Sequence, residues 1–424
     1  MRRDERACQG LPGAVLCWDY MRADIADPAA AGVVRQRLAS VDLLRGLVMV
    51  IMALDHTRDY VHEAAMISRP EDLAQTTAAI FLTRWITHVC APVFMFCAGL
   101  GAFFWSERKG RTPANLSRFL LTRGLWLIVL EFTLVRVGFF FHLDYSLVIL
   151  LVFWALGMCM IALAGLVNLP YRLQVVLSLG MILLHNAADG IRAADFGRWA
   201  WVWNVLHQQG VIQTGGPALL VAYPLIPWMG VMAAGFCFGR LYRLPSERRK
   251  PLFVRLGLAL SAAFVVLRVL NVYGDPAPWT AQESFGFTVL SFLNTTKYPA
   301  SLQFLLMTLG PAIALLGWID DARPSDRNPL LVFGRVPLFY FVLHIPLIHA
   351  IAVFMTWLEY GVTPFLFLPP PTLGSPRELF PPDYGWSLGT TYLVWIAAVA
   401  ALYPVCLWFS RIKARSRSWW ISYL

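Results

Sequence analysis

One apolar segment of membrane-spanning length carries an unusual number of ionisable residues. It runs from 37 to 62 and reads RLASVDLLRGLVMVIMALDHTRDYVH. An acidic and a basic residue lie near its start, and five ionisable residues lie near its end: Asp42 and Arg45, then Asp55, His56, Arg58, Asp59 and His62. Charged side chains within a spanning helix are costly and usually face a protein interior or a cavity. The segment is therefore the first candidate for a functional site.

Helical periodicity predicts that the polar residues of this segment share one side. Six positions follow spacings of three and four: Asp42, Arg45, Met49, Met52, His56 and Asp59. The rest of the helix is apolar, and we expect it to face lipid through Leu43, Leu44, Leu47, Val50, Ile51 and Leu54. At about 1.5 Å of rise per residue, Arg45 and His56 lie roughly 16 Å apart. We therefore predict a continuous polar track from a basic end to a histidine.

His56 has the neighbours that a general base needs. Asp59 follows it by one helical turn, and Asp55 and Arg58 flank it. A carboxylate beside an imidazole fixes the tautomer of the ring and raises its basicity, which suits proton transfer near neutral pH. The structural alternative is an ion-pair cluster that holds helix ends together.

Two later segments offer further polar groups. FGRVPLFYFVLHIPLIHAIAVF places His344 near the middle of a span, where it either shares a substrate with His56 or bonds a neighbouring carbonyl. NTTKYPASLQFLLMTLGP sets Asn294, Lys297 and Tyr298 at the outer mouth of another helix. Lys297 is a candidate for holding an anionic or carbonyl group of a substrate, and its alternative is an interfacial anchor.

Local spacing gives no sign of metal or nucleotide chemistry. The histidines do not form an HxxxH or HExxH motif, so we predict no metal site. For His142, His185 and His207 the simpler interpretation is exposure to solvent or a structural pairing. The seven cysteines are scattered and predict no disulfide framework. Neither a phosphate-binding loop nor a dinucleotide fingerprint is present.

Composition indicates an all-α, polytopic integral membrane helical bundle. The chain is 58% hydrophobic and only 14% charged, against about 25% charged residues in soluble domains. Apolar runs long enough to cross a ~30 Å hydrocarbon core predict ten transmembrane helices. They are 41–62, 80–104, 119–139, 145–167, 171–187, 219–240, 252–272, 299–318, 330–356 and 388–410, of which the fifth is short. We expect a poorly ordered N-terminal arm (1–36), a transmembrane domain (37–410) and a basic tail (411–424).

The distribution of basic residues predicts the topology. Most of the 35 Lys and Arg residues fall in the N-terminal arm, the C-terminal tail and alternate loops, so both termini should be cytoplasmic. The net charge of +10 then reflects this asymmetry and contact with anionic lipid rather than a nucleic-acid partner. No cleavable signal peptide is apparent. The expected location is a bacterial inner (cytoplasmic) membrane.

The first motif resembles the opening of the heparan-alpha-glucosaminide N-acetyltransferase catalytic-domain family. The residues that carry the resemblance are RLASVDLLRG at 37–46 and DHTRD at 55–59. YPLIPWMGVMAAGF, KYPASLQFLLMTLGP and VPLFYFVLHIPLIH are similar to later landmarks of its bacterial members, so the resemblance covers about 37–410. In eukaryotic members an asparagine stands at the position of His56 and a histidine follows later. Either His56 or His62 therefore fills the histidine role, and the depth and neighbours of His56 favour it.

This resemblance implies an acyltransferase that takes an acetyl or other short acyl group from cytoplasmic acyl-coenzyme A. The acceptor would be a sugar amine or hydroxyl, on a glycan or amino sugar, at the outer side. His56 would be the general base or a transient acyl acceptor, with Asp59 orienting it and Arg58, His62 and His344 nearby. Candidate groups for binding coenzyme A are Asp42, Arg45, Arg123 and Arg240, although an Asp42–Arg45 salt bridge is an equal alternative. Asp55, Asn294, Lys297 and Tyr298 are candidates for binding the acceptor.

Two other functions are compatible with the residues alone. A proton-coupled secondary transporter would also need Asp and His along a buried track. A non-catalytic membrane scaffold would not need the charges. Small residues on several helices allow a homodimer.

Overall fold

The computed structural model describes residues 28–108, 110–368 and 376–416. The protein is mostly helical, with 71% of its residues in helices. The α-helices are α1 Pro28–Val61, α2 Ala78–Thr87, α3 Cys90–Ser106, α4 Pro113–Leu130, α5 Arg136–Phe140, α6 Val152–Leu166, α7 Tyr171–Leu183, α8 Ala200–Leu206, α9 Leu225–Phe238, α10 Ser246–Leu270, α11 Phe285–Leu293, α12 Leu302–Trp318, α13 Pro329–Arg335, α14 Pro337–Tyr360 and α15 Leu388–Arg415.

A three-stranded sheet departs from the all-α expectation. Its strands are β1 Leu147–Leu150, β2 Gly210–Gln213 and β3 Ala218–Val221, in the order β1-β3-β2. β1 pairs with β3 in parallel and β2 with β3 antiparallel. β1 and β3 occupy the beginnings of two predicted spans, because a four-residue apolar run fits a buried strand as well as a helix.

Local sequence explains where several helices begin. Thr112 accepts a hydrogen bond from the Asn115 N–H and is followed by Pro113, and Asn328 does the same for Leu331 ahead of Pro329. A side-chain acceptor at the N-cap with proline in the first turn is a common helix start. The buried carboxylate of Glu131 accepts hydrogen bonds at 2.8 and 3.1 Å from two of the first N–H groups of α6.

The first helix, α1, lies at the centre of the bundle rather than at its edge. It packs against α2, α3, α12, α13, α14 and α15. Leu44 and Leu54, which we expected to face lipid, are 1% and 0% exposed. That expectation was wrong, because a helix surrounded by other helices buries its apolar side against protein.

Two glycines allow the close approach of α1 and α13. A Cβ atom at Gly46 would collide with the carbonyl of Leu330, and one at Gly334 would collide with the carbonyl of Asp42. Small residues at a helix crossing let backbones come into direct contact, which is a common device in membrane bundles.

The number of spans is only partly confirmed. Each of the ten predicted spans contains a helix, and among the described residues five helical segments are long and apolar enough to cross a membrane. They are Ala78–Ser106, Leu225–Arg243, Ser246–Leu270, Pro337–Tyr360 and Leu388–Arg415. A bundle of ten spans with cytoplasmic termini stays a prediction.

The predicted boundaries of the transmembrane domain are crossed by helices. α1 begins at Pro28, within the expected arm, and α15 continues to Arg415, within the expected tail. Residues 1–27 of the arm and 417–424 of the tail lie outside the described residues.

Candidate active site

A large cavity of about 1020 Å³ contains the C-terminal end of α1. Its wall includes Met52, Asp55, His56, Arg58 and Asp59. Further wall residues come from the loop after α1, from α2 and α3, from the sheet, from the loop before α12 and from the beginning of α14. A volume of this size holds a small ligand or part of a saccharide, since typical ligand sites measure about 300–1,000 Å³.

His56 lines this cavity and lies against His344, which does not line it. The centres of the two imidazole rings are 5.2 Å apart, and Phe139 meets His56 edge-on at 5.3 Å. His344 is fully buried, and its Nδ1 is 2.6 Å from the Phe341 carbonyl oxygen. Because a carbonyl only accepts, Nδ1 of His344 carries the proton in a neutral ring. Of the two alternatives for His344, the structure shows the bond to a carbonyl, and a substrate shared with His56 stays a prediction.

The Nδ1 atom of His56 is buried and has no hydrogen-bond partner. Asp59 lies one turn away, as expected, but its carboxylate accepts a hydrogen bond from Arg58 at 2.6 Å. The orienting contact between Asp59 and His56 that we expected is thus not formed in this structure. Orphaned buried polar atoms beside a cavity are unusual in folded proteins and indicate a place for a polar ligand.

An ion-pair network lies beside His56 on the cavity wall. Arg58 is 4% exposed and lies between two carboxylates, 3.1 Å from Asp55 and 2.6 Å from Asp59. Arg84 of α2 pairs with Asp55 and also with Glu71, the latter at 2.8 Å. Burial of such charges is tolerated only when they are paired. The Nε and Nη1 groups of Arg58 are buried without a hydrogen-bond partner, so this network still offers donors to a ligand.

Glu71 extends the network into the loop that follows α1. Burial alone would raise the pKa of its carboxyl group, but the Arg84 guanidinium and the neighbouring His88 outweigh this effect and hold the pKa well below its usual range. The backbone carbonyl of Glu71 accepts a hydrogen bond from the Asn294 side chain at 2.8 Å. Glu71 therefore stays ionised at neutral pH and joins this loop to the segment before α12.

The four residues proposed for acceptor binding, Asp55 among them, all line the cavity. Asn294, Lys297 and Tyr298 stand together on the segment that precedes α12. The Lys297 ammonium lies 5.1 Å from the centre of the Tyr298 ring. The Tyr298 hydroxyl is 3.4 Å from that of Tyr223.

His62, the alternative histidine, is buried away from the cavity and bonds to the backbone. Its side chain is 2% exposed, does not line the cavity, and accepts a hydrogen bond at Nδ1 from the Ala64 N–H at 2.9 Å. The geometry thus brings His56, and not His62, to the cavity surface.

Of the four candidates for binding coenzyme A, which mark the basic end of the expected track, Asp42 and Arg45 lie near the middle of α1. The other two lie on different elements, Arg123 on α4 and Arg240 just after α9. Asp42 and Arg45 form a salt bridge at 3.1 Å, and Arg45 also contacts the Gly334 carbonyl at 3.4 Å. Arg123 and Arg45 lie near Lys413 of α15, with which both interact electrostatically. Arg240 is exposed and stacks on Tyr171, its guanidinium 3.6 Å from the ring centre.

The cavity does not extend to this basic end. Its wall reaches Met52 and Phe94, and includes neither Asp42 nor Arg45. Met49, between the two ends, is 3% exposed. The expected polar track is therefore not one open passage in this structure, because Met49 and Met52 lie buried between its two ends.

Sequence reasoning missed several cavity residues. Arg84, His88, Glu71 and Tyr223 all line the wall, and none was proposed as a site residue. Arg84 and His88 had a usable signal, because both are ionisable residues in a strongly apolar stretch. Glu71 and Tyr223 stand in connecting segments, where sequence alone gives no comparable signal.

Fold and site together define a helical membrane protein with a polar, charged cavity inside the bundle. Residues 37–274 match the model of the family described as heparan-alpha-glucosaminide N-acetyltransferase, catalytic, and the chain belongs to this family. Membership indicates a membrane acetyltransferase, as the resemblance of the first motif predicted.

The matched range contains some, but not all, of the candidate site. It includes α1 and Tyr223, whereas Asn294, Lys297, Tyr298 and His344 lie beyond it. The later landmarks at 297–311 and 336–349 therefore stay a resemblance. A comparison with curated proteins finds no match.

Proposed function

We propose that this membrane acetyltransferase transfers an acetyl or other short acyl group from acyl-coenzyme A to an amine or hydroxyl of a sugar that occupies the cavity. The observation that carries the proposal is the position of His56. Its imidazole lines a polar cavity large enough for a sugar. A second histidine, His344, and the unsatisfied guanidinium N–H groups of Arg58 lie nearby.

His56 is the proton acceptor in this proposal. As the acceptor nitrogen or oxygen attacks the thioester carbonyl, its proton passes to the imidazole. The tetrahedral intermediate then collapses, the carbon–sulfur bond breaks, and the coenzyme A thiolate takes the proton. In the second version, His56 itself attacks the thioester and carries the acyl group before the sugar removes it.

The neighbouring residues position these groups. Arg58 and Arg84 hold the carboxylates of Asp55, Asp59 and Glu71 in one network, which keeps the C-terminal end of α1 rigid around His56. The free Nε and Nη1 groups of Arg58, with Asn294 and Lys297, supply donors to sugar oxygens.

The donor is proposed to enter from the basic end of the expected track, where Arg45, Arg123, Arg240 and Lys413 would attract phosphate groups. Because Met49 and Met52 close the way between this end and His56, transfer requires that these side chains move when the donor binds. This closure separates the two ends until both substrates are present.

The test is acyl transfer by the purified chain in detergent with labelled acetyl-coenzyme A and a panel of amino sugars and neutral sugars. The variant His56→Ala should bind acetyl-coenzyme A and lose about 10²–10⁴-fold of its transfer rate. His142→Ala is the matched control, because His142 lies outside the cavity on another segment. Quenched samples analysed by mass spectrometry distinguish direct transfer from an acylated His56.

The same experiment addresses the transporter alternative. If the wild-type protein neither binds nor cleaves acetyl-coenzyme A, while vesicles show proton-dependent solute uptake that His56→Ala abolishes, the acyltransferase proposal is wrong. Retention of full transfer activity by His56→Ala would instead refute the assigned role of this histidine.

The remaining assignments belong to the same proposal. They are the ten-span topology with cytoplasmic termini, a bacterial inner membrane, and a homodimer. Labelling of single cysteines placed at 20 and 240 from either side of spheroplasts tests the topology directly.

A further inference from the structure

A cluster of two histidines and an aspartate lies outside the cavity, where the segment between α7 and α8 meets the residue that follows α8. His185, Asp189 and His207 each direct one ligand-type atom at the others, and these three atoms lie within 4.8 Å of one another. The Nε2 atom of His207 is 3.1 Å from Oδ1 of Asp189, and the two imidazole rings are 5.6 Å apart. None of the three residues lines the cavity that contains His56.

The histidines of this cluster are buried with unused nitrogen atoms. His185 is 5% exposed, and neither of its ring nitrogens makes a hydrogen bond. His207 is 2% exposed, and its Nδ1 is likewise without a partner. Buried polar atoms normally have a partner, since leaving one unsatisfied costs free energy. The hydrogen bonds within the protein therefore do not account for this arrangement.

We propose that His185, Asp189 and His207 bind a divalent transition-metal ion, with Zn²⁺ as the best match. Two imidazoles and one carboxylate form a common three-residue ligand set for zinc, with water in the fourth position. Ligands at about 2.0–2.2 Å from one zinc ion lie roughly 3.4 Å apart in a tetrahedron. The three ligand atoms of the cluster are separated by distances close to this value. Side-chain rotations that move these atoms by about an ångström bring them to metal-binding geometry.

A neighbouring amide already orients the aspartate. Asn186 donates a hydrogen bond to Oδ2 of Asp189 at 2.8 Å, which leaves Oδ1 directed at His207. The side-chain oxygen of Asn186 in turn accepts a hydrogen bond from the Leu302 N–H at 2.9 Å. Metal-binding carboxylates are typically held by such outer hydrogen bonds. The cluster is thus anchored to the beginning of α12.

The position of the cluster indicates a structural role for the metal. It joins the 3₁₀ segment His185–Ala188 to the residue that follows α8, and Gln209 and Gly210, just after His207, line the cavity. A bound ion would hold this wall in place without contacting the reacting groups. No HxxxH motif marks this cluster in the sequence, because His207 is distant from His185 and Asp189 along the chain.

The test is metal binding by the full chain, purified in detergent and stripped with a chelator. Wild-type protein should bind about one Zn²⁺ per chain, its melting temperature should rise with Zn²⁺, and Co²⁺ should give the intense visible absorption of a four-coordinate site. Asp189→Asn and His207→Gln should each weaken Zn²⁺ binding by more than about tenfold. His142→Gln is the control and should bind as the wild type does.

Several results would overturn the proposal. They are failure of stripped wild-type protein to bind Zn²⁺, only the weak Co²⁺ absorption of a six-coordinate aqua ion, or unchanged binding in both ligand variants. If the variants do not fold, the stoichiometry and Co²⁺ spectrum of the wild-type protein decide the question. Acetyl transfer is not measured, so the outcome does not depend on the proposed activity.

Discussion

The middle and the C-terminal end of α1 contain similar charged residues but are built differently. In the middle, Asp42 and Arg45 form a single pair, packed beside the glycine contact with α13. At the C-terminal end, Asp55, Arg58 and Asp59 belong to a larger network around a cavity. Only the C-terminal end combines a cavity, a histidine and several unsatisfied buried atoms. Access and unused hydrogen-bonding capacity, and not charge alone, therefore distinguish a reaction site from a structural ion pair.

The largest expected effect on stability comes from the buried network. Arg58→Met leaves Asp55 and Asp59 without their shared partner, and removal of one member of a buried ion pair costs about 3–5 kcal/mol. The free energy of unfolding in mixed micelles measures this loss. Arg69→Met is the control, because Arg69 is exposed and should change stability by less than about 0.5 kcal/mol. Equal stability of both variants would contradict the network.

A smaller loss should follow from disturbing the glycine contact near the middle of α1. Gly46→Ala places a methyl group against the Leu330 carbonyl, and overpacking typically costs about 1–3 kcal/mol. Gly101→Ala is the matched control, since nothing lies within 4 Å of its added Cβ. It should stabilise α3 by up to about 1 kcal/mol. Similar melting temperatures for the two variants would show that α1 and α13 are not in direct contact.

The Asp42–Arg45 pair should contribute less than the Arg58 network. Both side chains are partly exposed, 17% and 22%, so a double-mutant cycle should give roughly 0.2–1 kcal/mol. In transfer assays, Arg45→Ala should raise the KM for acetyl-coenzyme A and leave kcat nearly unchanged. A loss in kcat as large as that of His56→Ala would mean that the middle and the C-terminal end of α1 do not have separate roles.

The smallest effect is expected in the pH dependence of stability. Because the pKa of Glu71 is held below its usual range, its ionised form stabilises the fold above the ordinary glutamate pKa of about 4.3. This contribution is lost as the pH falls through the lower, folded-state pKa. The melting-temperature difference between wild type and Glu71→Gln should therefore shrink from pH 7 to pH 3. For the exposed Glu283→Gln, the difference should stay near zero throughout.

Much of the fold was predictable because burial in a membrane leaves a strong local signal. The apolar runs coincide with helices across the chain, and the charged residues near the end of α1 line the cavity. Errors occurred where the local signal is weak. Two four-residue apolar runs form strands β1 and β3 instead of helix. Leu44 and Leu54 pack against other helices instead of facing lipid. Periodicity shows which side of a helix is apolar but not what covers it.

By itself, the sequence determined that this is a helical membrane protein, that it belongs to an acetyltransferase family, and that Asp55, His56, Arg58 and Asp59 share one helix end. These properties depend on composition and on residues within a few turns of each other. Tertiary structure alone decided that His56 meets His344, that Arg84 and Glu71 complete the ion-pair network, and that His207 joins His185 and Asp189. Such contacts depend on how distant helices pack, and no local pattern encodes that packing.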